Sequence, residues 1–239
     1  YIFLKSATPI YIGKGLNLKN RLRSYFSVNL APKTQRMIKE AESLSFIKVN
    51  SDLESLLLEA SLIQKYQPKY NSASKDDKNP LYIRVTKETY PKVITARKIE
   101  ARQKNLAFFG PFPSSRTVRL VLRMLRRIFP YSEHKVGKRP CLYSHIGLCN
   151  PCPSLIQKQE DKKTKEKLTR IYKNNIRHIK TVLSGRFKSV RNELAKEMLA
   201  KSKEEKFEEA QRVKEQISRL DYITQTAVPT ESFLENPNL

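Results

Sequence analysis

Tyr1-Ile2-Phe3-Leu4-Lys5, the turn Ser6-Ala7-Thr8-Pro9, and Ile10-Tyr11-Ile12-Gly13-Lys14-Gly15 read as two short apolar strands with tyrosines at matched positions. Aromatic and β-branched residues favour the strands, and Pro9 among small polar neighbours punctuates them. In the basic helix that follows, Leu18, Arg21, Leu22 and Tyr25 recur at helical spacing, which sets Arg21 and Tyr25 one turn apart on one face, close to the end of the Tyr11 strand. Working outward, a second helix over about 34–44 and a strand at Phe46-Ile47-Lys48-Val49 are expected next. Ser51-Asp52-Leu53-Glu54 has capping-box spacing and opens a third helix, whose core stripe is Leu53, Leu56, Leu57, Ala60 and Ile63. Glu59 lies at the edge of that stripe, and Pro68 ends the helix because the residue before a proline avoids helical geometry.

Composition narrows the partner. Lys and Arg number 47 against 23 Asp and Glu, a formal net charge of +24 in 239 residues, which favours a polyanion and points first to nucleic acid. No apolar run approaches the roughly 20 residues of a membrane span, so a soluble protein without a membrane partner is expected. The three cysteines, Cys141, Cys149 and Cys152, are odd in number and clustered, which fits a reducing cytoplasm better than a secreted disulfide framework. The chain opens on strand-like residues without Met, and this points to a true N-terminus further upstream.

Beyond residue 80 the pattern turns to strands, Tyr82-Ile83-Arg84-Val85 and Lys92-Val93-Ile94-Thr95, and Phe108-Phe109-Gly110-Pro111-Phe112-Pro113 reads as a break. A helix from about 115 to 129 sets Val118, Val121, Leu122, Leu125 and Phe129 against Arg116, Arg119, Arg123, Arg126 and Arg127, a basic stripe suited to tracking DNA phosphates or to a solvated face. Polar helix-forming sequence runs to about 183. Two amphipathic helices follow, the first with Val190, Leu194, Met198 and Leu199, the second with Phe207, Ala210, Val213, Ile217 and Leu220. From Lys188 to Asp221 nine basic and eight acidic residues nearly cancel, so this pair is expected to meet protein rather than DNA. The expected organisation is α+β. A small mixed sheet with flanking helices spans 1–72 and a basic α/β middle region with the cysteines spans 73–153. A helical linker over 154–184, an α-helical hairpin over 185–221 and a tail over 222–239 complete the chain.

Hydrolysis of a phosphodiester needs a positioned water, a base for it, and positive charge for the phosphate and leaving oxygens. Glu59 on a well-formed helix is a candidate ligand for one hard cation, and a single carboxylate completed by water suits Mg²⁺. Lys14, Arg21 and a metal would each favour a tyrosine phenolate. The plain alternative is that Tyr1, Tyr11 and Tyr25 simply pack a small core.

Tyr1-Ile2-Phe3, Tyr11-Ile12-Gly13-Lys14-Gly15, Arg21, Tyr25, Glu59 and Asn71 resemble, in order and spacing, the GIY-YIG nuclease domain. The likeness is closer to the UvrC family. It is carried by Asn17-Leu18 to Ser24-Tyr25-Phe26, Leu56-Leu57-Leu58-Glu59, Lys65-Tyr66-Gln67-Pro68-Lys69-Tyr70-Asn71, Lys75-Asp76-Asp77-Lys78, Phe109-Gly110-Pro111 and Arg139-Pro140-Cys141. The resemblance implies an endonuclease of nucleotide excision repair that cuts damaged double-stranded DNA on the 3′ side of a lesion. It implies Tyr11 as general base, Glu59 as ligand to one Mg²⁺ or Mn²⁺, Arg21 and Lys14 on the scissile phosphate, and Tyr1, Tyr25 and Asn71 in support. A metal-activated water with Tyr11 only orienting it is the rival source of the nucleophile.

Glu204-Glu205-Lys206-Phe207-Glu208-Glu209-Ala210 resembles a UVR motif, which implies binding to UvrB through Phe207, Ala210 and Ile217, with UvrA as loader. Members of the family often carry four cysteines suited to an iron–sulfur cluster, whereas this chain has three. A Cys₃His site for zinc or a cluster, using His134 or His145, and three metal-free buried thiols are both open readings. A second, ribonuclease-H-like nuclease and helix-hairpin-helix motifs are not found in this sequence, so no 5′ cut is expected of it. A stand-alone GIY-YIG nuclease and a non-catalytic DNA-binding adaptor are the alternatives.

Overall fold

The computed structural model describes residues 1–27, 29–71, 81–97, 100, 104–112 and 114–224. Strands β1 (Ile2–Lys5) and β2 (Thr8–Ile12) pair antiparallel, with Phe3 opposite Tyr11. Ser6 and Ala7 both take positive φ, 46° and 62°, the handedness a tight hairpin needs to match strand twist. The ladder continues past the strands: Tyr1 N donates to Gly13 O at 2.8 Å and Gly13 N to Tyr1 O at 3.0 Å. Strand β3 (Ser43–Ser45) covers the other edge of β1, giving the order β2-β1-β3.

Around this sheet lie α1 (Leu18–Arg23), a 3₁₀ turn at Ser24–Phe26, α2 (Pro32–Glu40) and α3 (Asp52–Tyr66). The strand expected at 46–49 sits three residues earlier, and Phe46 and Ile47 are exposed outside it. The cause is local: α2 stops at Glu40, Glu42 N bonds Leu4 O at 2.8 Å, and the Glu42 carboxylate accepts from Ser6 N at 2.7 Å, which draws the chain onto β1 early. Helix α3 begins as its capping spacing predicts, with Ser51 Oγ accepting from Glu54 N at 3.1 Å and Glu54 accepting from Asn50 N at 2.8 Å.

The second sheet has the order β5-β4-β6, from β4 (Leu81–Thr86), β5 (Val93–Arg97) and β6 (Asn105–Phe112), all antiparallel. The expected break at 108–113 is instead the end of β6. Gly110, at φ +128°, lets the strand pass so close to Tyr82 that a Cβ would lie 2.9 Å from its ring, and Pro111 is tolerated because β6 is an edge. Lys75-Asp76-Asp77-Lys78 lies outside the described residues.

Helices α4 (Ser115–Ile128), α5 (Leu142–His145), α6 (Pro153–Lys158), α7 (Lys162–Leu183), α8 (Phe187–Lys203) and α9 (Phe207–Thr224) follow. The span 154–184, expected as a linker, belongs to the core. Ile156, Tyr172, Ile176, Ile179 and Val182 are buried there, and the Tyr172 hydroxyl donates to Pro91 O at 2.6 Å. One apolar cluster joins Leu53, Leu57 and Ala60 of α3 to β4, β5, α4, α7 and the α8–α9 hairpin, so α3 is shared between the small sheet and the rest of the molecule. The hairpin is strapped down: Gln216 donates to Ile128 O at 3.0 Å and Arg219 to Arg127 O at 2.8 Å, satisfying carbonyls that the end of α4 leaves without helical partners.

Candidate functional site

The small sheet and α1 bring three phenols together. Tyr1 and Tyr11 come from paired strands, and Tyr25 from the 3₁₀ turn, buried with Phe3, Ile10, Met37 and Tyr70 in a separate cluster. Tyr1 and Tyr25 hydroxyls are 2.6 Å apart, Tyr25 and Tyr11 hydroxyls are 3.4 Å apart, and Arg21 Nε donates to the Tyr1 hydroxyl at 3.1 Å. Each phenol has one proton, so Tyr25 can donate across the 2.6 Å contact to Tyr1 or across the longer one to Tyr11, not to both. The contacts link Arg21, Tyr1, Tyr25 and Tyr11 into one hydrogen-bonded group.

Burial raises the pKa of Tyr1, and burial with donation among the phenols raises that of Tyr25. The expectation that nearby cations lower every tyrosine here is thus corrected for these two, because desolvation outweighs Arg21. Tyr1 and Tyr25 are therefore held as neutral phenols. Gly13 makes the arrangement sterically feasible: a Cβ there would lie 2.5 Å from the Tyr1 oxygen and 3.0 Å from the Tyr11 ring. Sequence reading passed over this reason for the glycine, because the close approach exists only once both strands are paired.

Glu59, on α3, is half-buried, and its Oε2 is buried with no hydrogen-bond partner among the described residues. Burial pushes its carboxyl up, opposed by Lys14 and Arg21, which places those two charges near it. An orphaned buried carboxylate oxygen fits a ligand that brings its own positive charge, so the residues present suit one hard cation. Lys14 is paired with Asp52 in the first turn of α3, a partner the sequence reading missed although the acidic first turn was visible. Asn71, expected to support water and phosphate, is turned to the backbone instead. Its Oδ1 accepts from Ile12 N at 2.7 Å and its Nδ2 donates to Ile12 O at 2.6 Å, clamping β2 beside Tyr11.

The arginines of α4 divide. Arg116, Arg119, Arg123 and Arg127 are exposed, Arg123 and Arg127 lining a cleft shared with α7 and α9 that contains none of the tyrosines, Arg21 or Glu59. Arg126 is the correction: it is buried, paired with Glu133 and held over the rings of Tyr131 at 4.3 Å and Tyr143 at 4.4 Å, so it serves packing rather than DNA. In the hairpin, Phe207 is 65% exposed, whereas Ala210 is buried and Ile217 packs against the molecule's own core; those two are occupied within the chain because α9 lies on α4 and α3.

The cysteines gather with His134. Its Nε2 and the sulfurs of Cys141, Cys149 and Cys152 all lie within 4.8 Å of one another, and the cysteines are unbridged. His145, the other candidate, is exposed and outside this group.

A sheet whose first two strands deliver tyrosines to an arginine on the next helix and a glutamate on a third is the plan of a GIY-YIG domain. One family model, described as the UvrC-like GIY-YIG domain, matches residues 1–72, and another, described as the UvrC/Cho excinuclease middle domain, matches 80–171. A protein named UvrABC system protein C from Caldanaerobacter subterraneus subsp. tengcongensis is 37% identical over 227 residues, covering 90% of this chain and 35% of that protein. Another of the same name from Methanococcus maripaludis is 37% identical over 220 residues, covering 91% and 39%. The chain belongs to the UvrC family. It spans little more than a third of the length of these curated relatives. No solved structure matches it. Among the described residues, no helix is long and apolar enough to cross a membrane.

Proposed function

We propose that this chain is a metal-dependent DNA endonuclease module of nucleotide excision repair, cutting the damaged strand 3′ to a lesion and recruited by UvrB after loading by UvrA. The observation that carries the reading is the hydrogen-bonded group of Arg21, Tyr1, Tyr25 and Tyr11, with Arg21 and Lys14 also acting on Glu59, whose buried Oε2 has no hydrogen-bond partner among the described residues. In its phenolate form Tyr11 takes the proton of the attacking water, with the Tyr25 hydroxyl 3.4 Å from its oxygen. Arg21 holds the Tyr1 hydroxyl and contributes positive charge at the phosphate. Lys14 adds a second charge, its ammonium steadied by Asp52. A single Mg²⁺ or Mn²⁺ held by Glu59 would supply Lewis-acid stabilisation of charge on the phosphate and leaving oxygens. The exposed arginines of α4 and the net charge of +24 favour a nucleic-acid substrate, and the relatives' printed name places them in a UvrABC system.

The test is an end-labelled, lesion-bearing duplex incubated with this chain, UvrB, UvrA and Mg²⁺ or Mn²⁺. A nick 3′ of the lesion is expected. Glu59→Gln and Tyr11→Phe should each slow it by about 100-fold or more while the mobility shift of the DNA persists. Undiminished cutting by Glu59→Gln rejects the ligand role, and a wild-type rate in Tyr11→Phe rejects the base.

A further inference from the structure

Residues 133–148 contain no buried residue and one four-residue helix, α5, with Val136, Leu142, Tyr143 and Ile146 exposed, so this stretch has little apolar burial of its own to hold it. At its centre the sulfurs of Cys141 and Cys152 are 4.0 Å apart, and His134 Nε2 is 3.8 Å from Cys152 and 4.0 Å from Cys149. A tetrahedral zinc with bonds of about 2.3 Å to sulfur and about 2.0 Å to nitrogen sets its ligand atoms roughly 3.5–3.8 Å apart. These three spacings lie close to that tetrahedron, and all four ligand atoms fall within 4.8 Å of one another. An iron–sulfur cluster distributes its cysteines over separate irons, which requires a wider set, and its ligand sets are four cysteines or two cysteines with two histidines. Three cysteines and one histidine is instead an ordinary closed set for structural zinc.

The histidine is prepared for that role. His134 Nδ1 lies 2.6 Å from Lys135 O, and a carbonyl can only accept, so Nδ1 carries the proton and Nε2 presents its lone pair to the sulfurs. The buried Ser132 hydroxyl bonds both His134 N, at 3.2 Å, and His134 O, at 3.1 Å, fixing the backbone that aims the ring. Tyr143, two residues after Cys141, covers Arg126, so the site's loop is seated on α4.

We propose that His134, Cys141, Cys149 and Cys152 bind one structural zinc ion in place of the cluster that the family resemblance implies. The ion pins residues 134–152 to α4 and α6 and takes no part in cutting DNA.

The experiment is elemental and sulfide analysis of the full chain, purified anaerobically from medium supplemented with both iron and zinc. One zinc per chain, with no iron, no acid-labile sulfide and no broad visible absorption, is the expected result. Iron with sulfide, or no bound metal, overturns the proposal. Replacing the ion with Co²⁺ should give the intense visible bands of a tetrahedral thiolate site; weak octahedral bands overturn it too. His134→Ala should lower zinc content by at least half. Should that variant fail to fold, the wild-type metal content still decides. Glu59→Gln should retain full zinc, which separates this site from the nuclease centre.

Discussion

At Gly13 the arrangement of the phenols depends on one missing methyl group. Gly13→Ala would drive a Cβ into the Tyr1 hydroxyl, so the ring must swing and break its 2.6 Å contact with Tyr25. The expected cost is about 1–3 kcal/mol of stability, read as a lowered Tm, together with loss of incision. Glu59 makes the opposite demand. Its pKa is raised in the folded state, so the fold binds this proton more tightly than the unfolded chain does, and stability from this group falls as pH climbs from the unfolded carboxylate value through the raised one. In metal-free buffer, Glu59→Gln should therefore melt higher than wild type by a margin that is absent at low pH, grows across that window and then levels off. Saturating Mg²⁺ should narrow the margin, because only the wild-type carboxylate has a cation to gain. A Tm difference that ignores both pH and Mg²⁺ would contradict a carboxyl whose proton burial holds more tightly in the fold. Tyr1, Tyr11, Arg21, Tyr25 and Glu59 were all legible from spacing and resemblance. The hydroxyl contacts among the tyrosines were not, because they join segments 14 to 24 residues apart.

At the scale of elements, helices whose apolar stripe is plain were read within a few residues: α3, α4, α8 and α9. Helix α7 was read as a helix but set in a linker, because lysines, arginines and asparagines dominate its composition, whereas Tyr172, Ile176, Ile179 and Val182 pack into the core. The arginines of α4 show the same limit. A helical wheel groups Arg126 with Arg119 and Arg123, yet Tyr131, Glu133 and Tyr143 arrive from beyond the helix and enclose it. Arg119→Ala and Arg123→Ala should each weaken duplex binding and reduce the slope of log affinity against log salt by about 1, with little change in Tm. Arg126→Ala should leave that slope alone and cost roughly 1–3 kcal/mol of stability through the lost ring contacts and ion pair. Equal salt slopes for the three variants would return Arg126 to the DNA surface.

Across the whole molecule, the hairpin presents two faces with different duties. Val213, Ala210 and Leu220 are buried against the chain's own helices, while Leu199, Phe207 and Tyr222 are exposed on the outer side. Phe207→Ala should reduce UvrB affinity by about 10-fold or more yet shift Tm by no more than an ordinary surface change. Val213→Asp should unfold or strongly destabilise the chain even without UvrB, because it buries a charge. If Phe207→Ala binds UvrB like wild type, Phe207 is not an anchor for it. The inner face of α9 rests on α3, the helix from which Glu59 projects. A grip on the outer side of the hairpin is thus one helix away from the carboxylate, and thermodynamic reciprocity governs whatever passes between them: if recruitment stiffens the seat of that glutamate, a cation captured there must tighten the recruiter's hold by the same factor.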